Sequence, residues 1–459
     1  MNSLAQFFTT HISLKHPPVK VKTMMTADWS QLPQPLLELI YRRLFPSDHL
    51  GFSSVCSSWR LVAIEEGRYL PHQFVGLIAS GVTMDSETRR LFEPLQCDYK
   101  NSNRAPLNLS VPHRYYCCGA SFGWLVLVDE SLDMQLLDPI SGEKIQLPSS
   151  TTLPPSRPSF RNFGKYSVSK AILSCAPSRS TSYRTIVLTI CGGLRLAYCK
   201  PGDEAWTSIE FEVPREHVDA IYYKGKFFAV YNPGGIVTID FADPDHPTMT
   251  DYAPTPPGEF FWQSRYLVES KGELFQLRRT CKFDSDNTYR SDSDDYDYFF
   301  GVAGGDGEEV LGGQSQNDDD YNDEVDNESD QSDESDGSDL LESLRCYRTV
   351  RFKVFKFRNC PGCNNLEAWQ KVESIGDNAF FVGGCNSSFS VSVSDFLGCK
   401  PNSIYFTDSM VPYDYMPEPI RHDIGIFSLE DKSVKEIYPI DSKPVWPPSF
   451  WFTPVPWRN

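Results

Sequence analysis

Apolar residues near the amino end of the chain recur with the period of an amphipathic α-helix. Leu36, Ile40 and Leu44, with Leu37 beside them, form one apolar stripe. Pro33 suits the first turn of such a helix, where a missing backbone N–H costs no hydrogen bond. The pattern therefore predicts a short helix that ends near Leu44.

A second helical pattern follows this stripe. Pro46 stops the first predicted helix, and Ser47 or Asp48 is a suitable cap for the next. The second apolar stripe consists of Val55, Cys56 and Trp59. Residues 28–70 thus contain two or three short helices with more large apolar side chains than so small a unit can bury. We expect the surplus apolar face to bind a partner, as helices do in the grooves of other proteins.

The rest of the chain shows strand patterns, in residues 73–283 and 343–459. Residues 224–228 (Lys-Gly-Lys-Phe-Phe) match residues 271–275 (Lys-Gly-Glu-Leu-Phe), 47 positions further on, and pairs of glycines recur at related spacings. A period near 45 residues is typical of the four-stranded blades of a β-propeller. A high aromatic content of 13% and 34 prolines also favour many short strands over long helices.

The number of repeats follows from the length of this part. Residues 73–459 without residues 284–342 comprise 328 residues, which at about 45 residues per unit predicts six or seven blades. The fold class is therefore mainly β, with an N-terminal helical module and a propeller-like domain over residues 73–459. A β-sandwich whose glycine spacing is coincidental is the alternative.

The negative charge of the chain is concentrated in one segment. Residues 284–342 contain 22 acidic residues and one basic residue, whereas the other residues contain 39 acidic and 42 basic ones. So many like charges with so little apolar surface predict a disordered insertion. Strand patterns flank it, at residues 274–277 and 350–354, so we expect it within one domain. The nearly neutral remainder gives no indication of nucleic-acid binding.

The sequence also bears on cellular location. Residues 1–27 are predicted to be a disordered leader, although their lack of acidic residues and their lysines also fit an organellar transit peptide; the absence of arginine argues against one. No secretory signal and no membrane-spanning segment are predicted. The 13 cysteines are expected to be reduced, in the cytoplasm and/or nucleus.

The helical segment resembles the F-box. The matching residues are Leu32, Pro33, Leu36, Leu37, Ile40, Leu44, Asp48, Val55, Cys56, Trp59 and Arg60. The one departure is Ser57-Ser58, where a basic residue often precedes the tryptophan. The resemblance implies that these residues, Asp48 excepted, bind a Skp-family adaptor, which bridges to a cullin and its ubiquitin-charged enzyme. The alternative is a helical hairpin packed on the chain's own propeller.

The strand-rich part is similar to a plant domain of unknown function that follows many F-boxes. The segments that carry this resemblance are residues 137–143, 237–241, 353–357 and 403–408. The resemblance implies a kelch-like propeller. Its order of motifs extends over about 340 residues.

Motifs for catalysis or for metal binding are not found. Cys360 and Cys363 form a lone C-x-x-C, whereas a structural zinc site needs four ligands. The eight histidines do not pair at ligand spacing, and neither a nucleophile elbow nor a phosphate-binding loop is present. We therefore predict no enzyme activity, no cofactor and no metal.

Three hypotheses about function follow. In the first, the chain is an interaction protein whose F-box binds the adaptor and whose propeller binds an unknown protein substrate. Trp262, Trp446 and Trp451 are candidate loop aromatics for that substrate, although such tryptophans are more often core residues in a domain of this kind. The second hypothesis is a propeller enzyme with a docking helix, and the third is an organellar propeller with a vestigial F-box.

Overall fold

The structure is a computed structural model that divides the chain into two compact units, with the boundary between Pro71 and His72. The predicted leader, residues 1–27, and the predicted acidic insertion, residues 284–342, lie outside the described residues. The described residues are 28–41, 44, 46–53, 55–67, 75–79, 88–92, 107–153, 167–177, 184–192, 195–211, 213–244, 246–258, 263–283, 347–358, 368–394, 396, 399–407, 423–437 and 448–453.

The first unit is helical. Its elements are a 3-10 turn (Trp29–Gln31), α1 (Gln34–Tyr41), α2 (Pro46–Ser53) and α3 (Ser57–Gly67). The Asp28 carboxylate caps the 3-10 turn by accepting a hydrogen bond from the backbone N–H of Ser30 at 3.1 Å. The Gln34 side chain donates to Glu65 at 3.1 Å and so joins the start of α1 to α3.

Two helix boundaries differ from the sequence prediction. The first helix ends at Tyr41, so Leu44 lies beyond it although the apolar stripe continues that far. A proline disfavours helical backbone in the residue before it, so the helix must end ahead of Pro46. Pro46 itself begins α2, and Ser47 and Asp48 lie inside the first turn of α2 instead of capping it.

The second unit is a six-bladed β-propeller, since its described strands form six sheets. The first three blades comprise β1 (Gly76–Ala79), β2 (Thr88–Phe92), β3 (Leu107–Pro112) and β25 (Phe450–Phe452); β4 (Tyr116–Ser121), β5 (Trp124–Val128), β6 (Met134–Leu137) and β7 (Lys144–Leu147); and β8 (Val168–Leu173), β9 (Val187–Cys191), β10 (Arg195–Cys199) and β11 (Thr207–Ile209).

The other three blades complete the ring. They comprise β12 (His217–Tyr223), β13 (Lys226–Tyr231), β14 (Ile236–Asp240) and β15 (Thr248–Ala253); β16 (Gln263–Ser270), β17 (Glu273–Phe283), β18 (Tyr347–Phe357) and β19 (Trp369–Val372); and β20 (Asn378–Val382), β21 (Phe389–Ser392), β22 (Ser403–Phe406), β23 (Gly425–Ser428) and β24 (Val434–Glu436). The sixth blade has five strands, and β20 and β22 pair in parallel.

The ring is closed by the last strand of the chain. β25 pairs with β1 in the first blade, with Trp451 opposite Leu77. Trp451 is fully buried and its ring lies 5.2 Å from that of Phe381 in the sixth blade. The sequence-based suggestion that Trp451 is a loop aromatic is therefore wrong, because it is a core residue of a strand. Trp262 and Trp446 lie outside the described residues.

Hydrophobic clusters lie between successive blades all the way round. One cluster joins blades 1, 2 and 3, and four more join blades 3 and 4, 4 and 5, 5 and 6, and 6 and 1. Each sheet therefore has both faces covered. This arrangement explains the runs of consecutive buried residues in strands such as β5 and β9, and it excludes the β-sandwich alternative.

The repeats seen in the sequence mark equivalent positions in different blades. Three turns between the first and second strands of a blade share a left-handed backbone with φ between 47° and 81°, at Phe122-Gly123, Lys224-Gly225 and Lys271-Gly272. Left-handed residues in two-residue hairpins match the twist of the strands they join, which explains the recurring glycine. The 47-residue spacing thus reflects the blade repeat.

A second repeat links neighbouring blades at their outer strands. The indole N–H of Trp206 donates to the carbonyl oxygen of Pro148 at 3.0 Å, from the third blade to the second. The indole N–H of Trp369 donates to the carbonyl oxygen of Pro254 at 2.6 Å, from the fifth blade to the fourth. Both tryptophans follow Glu-Ala in the sequence, and the two segments make the same contact.

Candidate protein-docking surface

The helical unit has a small core formed by all three helices. Phe52 lies at its centre, with ring centroids 5.2 Å from Tyr41 and 4.5 Å from Trp59. The Trp59 indole N–H donates to the carbonyl oxygen of Trp29 at 3.0 Å, so its one polar atom is satisfied. The buried members of this core are Leu37, Tyr41, Phe52, Trp59, Val62 and Ala63.

Three leucines of the same unit point away from this core. Leu36 and Leu39 are 47% and 50% exposed on α1, and Leu61 is 60% exposed on α3. Leu36 and Leu39 are three residues apart and therefore share one side of α1, whereas Leu37 and Tyr41 occupy the other. We call Leu36, Leu39 and Leu61 the leucine surface. Exposed leucines on so small a unit are candidates for contact with a protein partner.

The ten residues predicted to bind an adaptor fall into three groups by exposure. Leu37 and Trp59 are buried in the core. Leu32, Ile40, Leu44, Val55 and Cys56 are partly buried and pack against the core. Pro33, Leu36 and Arg60 are exposed. Direct contact with an adaptor stays a prediction for all ten, and the first group also holds the helices together.

Two exposed leucines were not among the predicted residues. Leu39 lies one helical turn after Leu36, a spacing that could have identified it. Leu61 lies two residues after Trp59 and therefore on the opposite side of α3. The apolar stripe that contains Trp59 does not include it. The sequence pattern follows the residues that face the core, and the exposed leucines are on the other side.

Cys56 lies just before α3, beside the leucine-bearing helices. Its sulfur is 3.1 Å from the Ser58 hydroxyl. A hydrogen bond with that hydroxyl, followed by one with the backbone of Trp59, lowers the pKa of the Cys56 thiol. The nine cysteines that the structure describes are all free thiols.

Buried charges connect the inner strands of the propeller. Lys170 on β8 forms an ion pair with Asp219 on β12, and the other oxygen of Asp219 accepts the backbone N–H of Leu267 on β16 at 2.7 Å. Burial raises the pKa of Asp219, against the opposing effect of Lys170. These contacts join three neighbouring blades.

A second buried ion pair joins the fifth and sixth blades. Arg279 on β17 donates to the Asp423 carboxylate at 2.7 Å and to the carbonyl oxygen of Thr407 at 2.6 Å. The Thr349 hydroxyl donates to the same carboxylate at 2.7 Å. Such an enclosed network fixes the relative position of two blades.

The described part of the chain contains no group of three histidine, cysteine or acidic side chains that could hold a metal ion. Cys360 and Cys363 lie outside that part. Among the helices that the structure describes, none is both long enough and apolar enough to cross a membrane.

Comparison with known proteins identifies both units. The family model of the KIB1-4 β-propeller matches residues 95–428, and that of the F-box domain matches residues 29–66. Neither description names a catalytic activity. The strands β1, β2 and β25 of the first blade lie outside the propeller match, although they close the ring.

Full-length relatives occur in Arabidopsis thaliana. F-box protein SKIP23 is 27% identical over 93% of this chain and 96% of its own length. F-box protein At2g17036 is 23% identical over 93% and 95%, and F-box protein At2g17690 is 25% identical over 89% and 95%. The similarity therefore spans both units in the same order.

Proposed function

The chain belongs to the F-box proteins that carry a KIB1-4 β-propeller, and on this premise we propose that it is the substrate-recognition subunit of an SCF-type ubiquitin ligase. The F-box in general implies a substrate-adaptor role in such a ligase. In this chain the helical unit binds a Skp-family adaptor, which connects it to a cullin, and the propeller binds a protein substrate. We place this activity in the cytoplasm and/or nucleus.

The leucine surface is the observation that carries the proposal. Leu36, Leu39 and Leu61 are each about half exposed, and burying the exposed half of a leucine contributes about 1 kcal/mol. Together they supply about 3 kcal/mol, or about a hundredfold in the dissociation constant. Because they lie outside the core of the unit, they can be buried by a partner without any unfolding.

The proposal is tested by the double variant Leu36→Asp with Leu61→Asp. Two charges on the leucine surface leave the core intact but cannot be desolvated in an apolar groove. We expect the dissociation constant for a purified Skp-family adaptor to rise at least a hundredfold. In affinity purification from cells, the adaptor and the cullin should disappear while a client of the propeller remains.

The control is Val213→Asp, which places one aspartate at an apolar residue of the propeller that is 60% exposed, as Leu61 is. It should bind the adaptor like the wild type. Wild-type protein that binds no Skp-family adaptor would contradict the proposal, and so would a folded double variant that binds as tightly as the wild type.

A further inference from the structure

A row of cations crosses the fifth blade. In the antiparallel register Arg265 on β16 lies directly opposite Arg278 on β17, and Arg278 lies directly opposite Lys353 on β18. Directly opposite residues point to the same side of a sheet, so the three side chains form one row. Burial, together with the neighbouring Arg265, lowers the pKa of Arg278 to about 10.

The row continues towards the ends of β17 and β18, which are 11 residues long and exceed the other strands of the propeller that the structure describes. Thr280 lies opposite Arg351, and after a bulge Lys282 lies opposite Arg348. Alternation along each strand keeps these cations on the side of Arg278. Arg265 and Arg278 are themselves buried, and Arg278 donates to the carbonyl oxygens of Pro256 and Pro257. The accessible part of the row, which we call the basic face, consists of Lys282, Arg348, Arg351 and Lys353.

Cations directly opposite one another destabilise a sheet unless a negative charge is nearby. The same two strands provide one at their other end, where Lys356 pairs with Glu273 at 2.7 Å. Within the described residues, Lys282, Arg351 and Lys353 have no ion-pair partner, and Lys282 and Arg351 are exposed. The basic face is therefore suited to an anionic ligand.

The chain itself contains a segment of matching charge. Residues 284–342, with 22 acidic residues and one basic residue, are joined to the ends of the same two strands, where Phe283 pairs with Tyr347. A tethered ligand acts at an effective concentration of about a millimolar, which favours it over a separate acidic protein. We propose that the basic face binds this acidic segment of its own chain.

This inference concerns the propeller only and is independent of adaptor binding. The binding is electrostatic and at a largely exposed face, so it weakens with salt, whose screening length is about 8 Å at physiological ionic strength. An acidic segment of another protein is the competing occupant. The test has to distinguish an intramolecular ligand from one that binds only in trans.

The test uses the full chain beside a variant in which a short Gly-Ser linker replaces residues 284–342. The probe is a fluorescent synthetic peptide of residues 284–342, and binding is measured by fluorescence anisotropy. We expect the linker variant to bind the peptide, and to bind it at least tenfold more weakly when the salt concentration is raised from about 50 to about 500 mM. The full chain should bind it at least tenfold more weakly than the linker variant does, because its own segment competes.

Charge reversal in the linker variant locates the site. Lys282→Glu with Arg351→Glu should weaken peptide binding at least tenfold, whereas Lys282→Arg with Arg351→Lys should preserve it. The control Lys144→Glu with Lys400→Glu makes the same change in net charge at exposed lysines of other blades and should weaken binding less than twofold. A melting temperature close to that of the linker variant establishes that each variant is folded.

Three results would overturn the inference. Equal affinity of the full chain and the linker variant would show that the segment does not occupy the face, and would leave a separate acidic protein as its ligand. If the linker variant did not bind the peptide, the basic face would not be a binding site for it. An equal loss in the Lys144 and Lys400 control would show an effect of net charge alone.

Discussion

The helical module and the propeller differ in how much of their apolar surface is buried. In the module, Leu36, Leu39 and Leu61 are 47% to 60% exposed beside a core of six buried residues. In the propeller, the exposed large hydrophobic residues within the described part are three, Phe122, Val213 and Val350, beside five extensive buried clusters.

The difference follows from geometry. A closed ring gives every sheet a neighbour on each side, so a strand can be apolar on both faces and still be covered. Three helices of 8 to 11 residues have no such closure, and Leu36 and Leu39, on the side of α1 away from its buried residues, are about half exposed. Within the described residues, the propeller therefore exposes few large apolar side chains, whereas the module exposes three leucines.

Opening the ring should have the largest effect on stability. Trp451 is fully buried where the last strand meets the first and sixth blades, with its ring 5.2 Å from Phe381 and 6.0 Å from Tyr405. We expect Trp451→Ala to lower the free energy of unfolding of the propeller by about 4 kcal/mol, since the cavity cannot be filled by neighbours held in other blades. Urea unfolding followed by circular dichroism measures this loss.

The control for ring closure is Val213→Ala, which removes an exposed side chain from the same unit and should change the free energy of unfolding by less than about 0.5 kcal/mol. A loss below about 1 kcal/mol for Trp451→Ala would mean that β25 is not needed to close the ring.

Two adjacent leucines of α1 sharpen the contrast inside the module. Leu37 is 1% exposed and Leu36 is 47% exposed. Leu37→Ala should destabilise the module by about 3 kcal/mol because it empties part of a small core, whereas Leu36→Ala should change its stability by less than about 0.5 kcal/mol. Amide hydrogen exchange of α1 and α3 measures both. Similar exchange rates in the two variants would contradict the assignment of the two sides of α1.

The sequence predicted the class of each unit because the spacing of apolar residues and of repeated turns can be read directly from a sequence. Leucines at helical spacing marked α1, and Lys-Gly pairs 47 residues apart marked the same turn in two blades. The blade number could not be fixed, since the first blade combines strands from both ends of the chain and the sixth contains five strands. Such pairings are set by tertiary contacts, which leave no local periodicity.

The exposed leucines proposed as a docking surface were predicted less completely than the fold. A stripe of apolar residues identifies the face of a helix that is buried, but it does not say whether the partner is intramolecular. Leu37 and Trp59 lie on the intramolecular side, and Leu61, which the stripe omits, lies on the other. The basic face could likewise not be predicted, because it depends on the register between β17 and β18.

A buried histidine should make the propeller sensitive to acid, with the smallest of the three effects. His217 is 1% exposed, between the rings of Phe211 and Tyr231 at 5.6 and 6.3 Å. Burial, and then the charge of Arg215, lower its pKa to about 4. Its neutral form is therefore the one that the folded state favours.

The direction of the pH dependence follows from this lowered pKa. Above the unfolded pKa of about 6.5 the histidine is neutral in both states, and below it the unfolded chain gains a proton that the folded chain gains only near pH 4. Stability should thus fall as the pH falls from 6.5 to 4, by about 2 kcal/mol at pH 5.

His217→Phe, which keeps a ring of similar size, should lack this part of the loss in urea unfolding at pH 7, 6 and 5. His246→Gln, at an exposed histidine, should retain it. Parallel losses in wild type and His217→Phe would show that the proton is taken up elsewhere.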